Sequence, residues 1–145
     1  MKQRIIEASG EYGVLDSWFI ENHVQSAMLI CGKSIEKQVI NHYLEEVPSR
    51  LGVKIVRFMD FQPNPLYESV VEGVKLFRAE RCDAMIAVGG GSAMDVAKCI
   101  KLYSDLPGDG ADGSWLAAPI TPNSVPFLAM PTTSGTGSEA TRFAV

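Results

Sequence analysis

The sequence predicts an α/β fold in which a parallel sheet carries helices on both faces. Three observations predict it. Short apolar runs alternate with segments of helical spacing. The runs are continuously apolar rather than apolar on every second residue, as strands covered on both sides are. Each run also ends at turn-forming residues.

Taken in order, Ala27 to Cys31 is an apolar run that stops at Gly32, a buried strand followed by a turn. From Ile35, apolar positions at Val39, Ile40, Tyr43, Leu44 and Val47 mark one face of a helix expected to stop near Pro48. Val53 to Phe58 reads as a second strand, and Phe61 to Pro65 as a proline-punctuated loop. Leu66, Val70, Val71, Val74 and Phe77 give a second helix, and Ala84 to Val88 a third strand that runs into three glycines. A helix over Ala93 to Ser104, a long loop over Asp105 to Pro122, and a fourth strand over Val125 to Met130 follow. Arg142 to Val145 looks like the start of another strand. The fold class is therefore α/β, Rossmann-like, and in such sheets ligands bind beyond the carboxyl ends of the strands.

Bulk properties narrow the function. A chain of 145 residues, 46% hydrophobic, has the length of one domain with a real core. A net charge of -4 argues against a general nucleic-acid binder, and no segment approaches the roughly 18 continuous apolar residues of a membrane span. Glu7 and Gly10 interrupt any leader-like apolar region, so a cytoplasmic home is expected. Cys31, Cys82 and Cys99 are odd in number and widely spaced, which favours buried, reduced thiols. The only histidines, His23 and His42, both fall in expected helices and lack metal-ligand spacing.

Three of the four core strands end at chemically suggestive segments: Gly32-Lys33-Ser34, Gly89-Gly90-Gly91-Ser92, and Pro131 to Glu139. A strand running through glycines into a helix suits a diphosphate. The backbone can approach closely, and the helix head points amide donors and a positive dipole end at it. The alternative is a tight turn that holds no ligand. Gly-x-Gly-x-x-Gly would need glycine at Met94, and the earlier glycine of a P-loop is replaced by Ala27, so both of those fingerprints fail. Ser92 and Asp95 have capping-box spacing, with Ser92 as the cap. The Pro131 to Glu139 loop sets the hydroxyls of Thr132, Thr133, Ser134, Thr136 and Ser138 around two glycines. Such groups can donate to phosphate or ribose, although a solvated turn has the same composition. A serine-hydrolase site fails for want of Gly-x-Ser-x-Gly and of a downstream histidine.

The segments Ala87 to Lys98 and Val125 to Glu139, with Pro63-Asn64-Pro65 before a helix, resemble the iron-containing (group III) alcohol dehydrogenases. The likeness covers most of the chain from about Ala27 onward, and the Pro-Thr-Thr loop is its specific part. The resemblance implies an NAD(P)-binding domain over residues 1–145, with the helical metal-binding domain absent from this chain. It implies that Gly89, Gly90, Gly91 and Ser92 hold the cofactor diphosphate, and that Asn64 lies near diphosphate or ribose. Thr132, Thr136 and Ser138 would line the path to the nicotinamide ribose, with Thr133 in the same cofactor-binding loop. Fe²⁺ or Zn²⁺, held in the full-length family by an Asp and three His, would polarise the alcohol oxygen while hydride moves to the nicotinamide. Small alcohols or aldehydes are the implied substrates, and a homodimer the implied assembly.

Many NAD-preferring members carry an acidic residue after the first core strand. Here Gly32-Lys33-Ser34 offers a cation and a hydroxyl instead, which favours NADP over NAD through a 2′-phosphate. With two histidines the chain cannot build the family's metal site, so the isolated 145 residues are expected to be inactive. The competing reading is a non-catalytic nucleotide- or phosphate-binding module. An ending inside a strand, at Arg142-Phe143-Ala144-Val145, favours the dehydrogenase domain.

Overall fold

A computed structural model describes residues 5–9, 12–59, 61, 66–118, 123–131 and 140–144. In chain order its elements are strand β1 (Ile5–Ser9), helix α1 (Asp16–Glu21), β2 (Ser26–Cys31), α2 (Val39–Leu51), β3 (Lys54–Phe58), α3 (Tyr67–Ala79), β4 (Ala84–Gly89), α4 (Gly91–Tyr103), β5 (Phe127–Pro131) and β6 (Ala140–Ala144). Among the described residues the strands form one sheet in the order β1-β6-β5-β4-β2-β3. The four core strands β3, β2, β4 and β5 are parallel, as expected. The other edge is not: β6 runs antiparallel to β5 and to β1, so the sheet is mixed. β1 went unseen in the sequence because its neighbour is the distant β6, and nothing local announces that pairing.

Two apolar layers flank the sheet. On one side Trp18 and Phe19 of α1 and Ile40, Leu44 and Val47 of α2 pack on Ala27, Leu29, Ile86 and Val88. On the other, Val70, Val74 and Phe77 of α3 and Val96, Ala97 and Ile100 of α4 pack on Met28, Ile30, Met85 and Ala87. Alternate residues of β2 and β4 thus feed opposite layers, and every residue of both strands is buried. That double covering explains the unbroken apolar runs.

The helix expected from Ile35 is divided. A 3-10 turn over Lys33–Lys37 buries Ile35, Gln38 is extended, and α2 starts at Val39. Pro48 does not stop α2. It sits in the last turn, where its missing N–H spares only the Leu44 carbonyl, and the helix ends at Gly52, left-handed at φ 70°. His23 is not helical but lies in the turn after α1 at φ 53°, a conformation histidine tolerates better than most residues. Cys31 and Cys82 are buried as expected, while Cys99 is only half-buried. The loop from Asp105 contains a further 3-10 turn, Ser114–Ala117, whose Trp115 is buried. Arg78 holds this loop by donating to the Ser104 and Gly108 carbonyls and lying over the Trp115 ring.

The two helices of the first layer are clasped by charge. Arg50 donates to both oxygens of Asp16, at 2.8 and 3.0 Å, and the Tyr43 hydroxyl donates to Asp16 Oδ1 at 2.6 Å. The Arg50 guanidinium holds the Asp16 carboxyl below its ordinary range, while burial and the Asp16 hydrogen bond push the Tyr43 phenol up. Among the described residues no helix is long and apolar enough to cross a membrane.

Candidate dinucleotide site

Parallel strands in register end together, and that places the site. Cys31 of β2 pairs with Val88 of β4, and Gly89 of β4 pairs with Pro131 of β5. Gly32, Gly89 and Pro131 therefore meet at one edge of three adjacent strands, the carboxyl edge where α/β sheets bind ligands. The sequence-predicted segments after β2 and β4 converge there. Asn64, Thr132, Thr133, Thr136 and Ser138 lie outside the described residues.

The glycine turn is built for close backbone approach. Gly89 has φ +144°, which L side chains rarely adopt, and a Cβ on it would stand 3.2 Å from the Ala93 Cβ. Gly90 is extended and precedes α4, whose own ladder begins with the Met94 N–H donating to the Gly90 carbonyl at 3.2 Å. The amides of the first turn come before that ladder and carry the helix's positive end. Among the described residues a Cβ at Gly90 or Gly91 would meet no atom within 4 Å, so none of them fills the space beside either glycine. That open cradle at a helix head fits a diphosphate.

The Ser92 assignment changes. The helix cap is Gly90 rather than Ser92, because the chain turns helical at Gly91, before the serine. Ser92 is half-buried inside the first turn, still at the head of the helix. Asp95 is then a full turn inside α4, too deep for a capping box. It borders a hollow of about 200 Å³ with Tyr67, Val70, Val96, Cys99, Tyr103 and Leu116. This hollow is lined by α3, α4 and the loop after α4 and opens to solvent.

At the end of β2, Gly32 is half-buried and Lys33 and Ser34 are exposed on the 3-10 turn. The sequence reading missed Arg57 of β3, which pairs in register with Leu29 beside this end of β2. Its Nη2 donates to Asn41 Oδ1 at 2.7 Å, in the first turn of α2. Burial pushes the Cys31 thiol up, and the Arg57 charge opposes that rise. The available signal was an arginine in a run where a covered strand should be apolar.

Comparison with known proteins gives the chain a family and a fold. The sequence profile of the family described as iron-containing alcohol dehydrogenase matches residues 3–145. Choline dehydrogenase of Bacillus subtilis (strain 168) is 36% identical over 127 residues, covering 84% of this chain and 31% of that protein. The NADPH-dependent butanol dehydrogenase of Clostridium saccharobutylicum is 33% identical over 128 residues, covering 83% and 32%. Among solved structures, sulfoacetaldehyde reductase from Bifidobacterium kashiwanohense in complex with NAD+ superposes with TM-score 0.71 at 25% identity. That match covers 90% of this chain and 34% of that one. The chain thus spans about a third of the length of these relatives.

Proposed function

The chain belongs to the iron-containing alcohol dehydrogenase family, and we propose that its 145 residues are the dinucleotide-binding domain of an oxidoreductase moving hydride between NAD(P)(H) and a small alcohol or aldehyde. The observation that carries the reading is the glycine turn: an open cradle at the head of α4, flanked on both sides by strands ending at the same level.

In this reading Gly89 sets the turn, and the backbone at Gly90, Gly91 and Ser92 receives the diphosphate on the first amides of α4. Gly32, Lys33 and Ser34 hold the adenosine ribose. Asn64, Thr132, Thr133, Thr136 and Ser138 supply polar contacts toward the nicotinamide ribose, so that the ring is oriented before any substrate arrives. NADP(H) is the favoured cofactor, since the end of β2 carries Lys33 and Ser34 and no carboxylate between Cys31 and Ile35. Relatives of both kinds exist, one solved with NAD+ and one named NADPH-dependent.

A divalent metal, Fe²⁺ or Zn²⁺ by the resemblance, would supply Lewis-acid polarisation of the alcohol oxygen. Among the described residues no group of three His, Cys, Asp or Glu side chains gathers to hold one. His23 precedes β2, at the sheet edge opposite the glycine turn, and His42 is exposed on α2. The 145 residues taken alone are therefore proposed to bind dinucleotide without turnover, and the complete enzyme to work as a homodimer. The deciding experiment is titration of the chain with NADPH and NADH, followed by nicotinamide fluorescence and by an alcohol-oxidation assay. Saturable binding without turnover is expected, tighter for NADPH. Absence of binding to either cofactor overturns the reading, and oxidation by the 145-residue chain overturns its division of labour.

A further inference from the structure

The corner where β2 ends carries more positive charge than its own sequence segment supplies. Arg57 lies on β3, the outer strand of the sheet, in register with Leu29. It shares the face of Ile55 and Met59, which pack with Leu29, Cys31 and α2. The side chain is half-buried, yet its one hydrogen-bond partner among the described residues is a neutral amide oxygen, Asn41 Oδ1. The other end of that amide donates to Glu45 Oε1 at 2.7 Å, which holds that carboxylate on Asn41. Among the described residues no carboxylate pairs with Arg57.

A half-buried guanidinium with no opposite charge loses hydration without recovering it in an ion pair. Its surroundings deepen the surplus. The head of α2 turns its positive end toward the same corner, and Lys33 and Lys37 are exposed on the 3-10 turn just before it. Glu36, also exposed, is the carboxylate of that turn. A guanidinium has five donors in a planar fork suited to phosphate oxygens, and one contact to Asn41 leaves most of the fork unspent.

We propose that Arg57, with Lys33 and Ser34, seats the 2′-phosphate of NADP(H), so that a residue on β3 rather than the β2 turn alone selects the cofactor. The proposal rests on the dinucleotide reading and adds a residue and a selectivity to it. The 2′-phosphate supplies the opposite charge that Arg57 lacks among the described residues, and the Asn41 contact fixes the fork before the phosphate arrives.

The test is calorimetry with two halves of the adenosine end, 2′,5′-ADP and 5′-ADP, on the intact protein that carries these residues. The wild type should bind 2′,5′-ADP more tightly. Arg57→Gln should weaken 2′,5′-ADP on the order of tenfold while leaving 5′-ADP within about twofold. Arg57→Lys, which keeps the charge and loses the fork, should retain part of the preference and serves if the glutamine variant folds poorly. An equal loss for both ligands would mark Arg57 as a structural residue and overturn the proposal. So would tighter binding of 5′-ADP by the wild type, which leaves the dinucleotide site standing. Failure of the wild type to bind either ligand overturns the dinucleotide reading itself.

Discussion

Neighbouring glycines in the cradle have different tasks, and substitution separates them. At Gly89 a side chain must adopt φ +144° and approach Ala93 at 3.2 Å, so the backbone itself resists. Gly89→Ala should cost on the order of 1–3 kcal/mol of folding stability, read by denaturant unfolding. Gly91 has neither constraint among the described residues, none of which places an atom within 4 Å of its Cβ position. In a helix the Cα–Cβ bond tilts toward the N-terminus, so a side chain at Gly91 projects over the proposed diphosphate cradle. Gly91→Val should therefore keep stability within about 0.5 kcal/mol while abolishing dinucleotide binding. A Gly91→Val protein that binds NADPH as the wild type does would show that the diphosphate lies elsewhere.

Between elements, the joints differ in how far the sequence announced them. The α1–α2 clasp gives a pH signature. Asp16 has a folded pKa below its unfolded value of about 3.9. Its contribution is therefore present above about pH 4 and is lost as pH falls through the folded value. Tyr43→Phe should cost about 1 kcal/mol at neutral pH by removing the hydroxyl's bond to Asp16. Asp16→Asn should narrow the stability gap to wild type as pH drops below 4, and a gap that stays constant to pH 3 would refute the linkage. The α3–α4 joint rests on Gly73, where a Cβ would overlap Ile100 Cδ1 and stand 3.0 Å from Cγ1 and 3.2 Å from a Phe58 ring carbon. Gly73→Ala should cost about 1–2 kcal/mol, the crowding outweighing the gain in helix propensity. Paired with Ile100→Val it should cost less than the sum of the single changes by about 0.5 kcal/mol or more, and simple additivity would mean the helices re-space freely. The helices themselves were legible, because Val70, Val74 and Phe77 repeat at the period of the face they bury. The cradle was legible too, as glycines directly after a covered strand. The joints were not. Whether Gly73 faces Ile100, whether β1 finds β6, and whether Arg57 stands beside β2 depend on contacts between segments far apart in sequence. The shift of the cap from Ser92 to Gly90 depends on a single backbone dihedral that a capping-box pattern does not encode.

For the whole molecule, the decisive property is that β2 and β4 belong to both apolar layers at once. Residues of β4 alternate between them, Ile86 and Val88 toward α2 and Met85 and Ala87 toward α3 and α4, so neither layer can open without exposing the strand that carries the glycine turn. The cradle is thus attached to the most buried part of the fold, and a ligand held there must be released before that part unfolds. Binding to the native state alone raises stability by RT ln(1 + [L]/Kd), about 2.7 kcal/mol at one hundred times Kd. For a domain of this size that corresponds to a rise in melting temperature of roughly 5–12 °C. The shift should grow with the logarithm of NADPH concentration and exceed that given by NADH at equal concentration. It should keep its size in Asp16→Asn, whose clasp lies between α1 and α2 and not at the glycine turn. It should vanish in Gly91→Val although that protein melts near the wild-type temperature without ligand. An equal shift in Gly91→Val would place the bound nucleotide away from the head of α4, and no shift in the wild type at saturating cofactor would remove the dinucleotide from this edge of the sheet altogether.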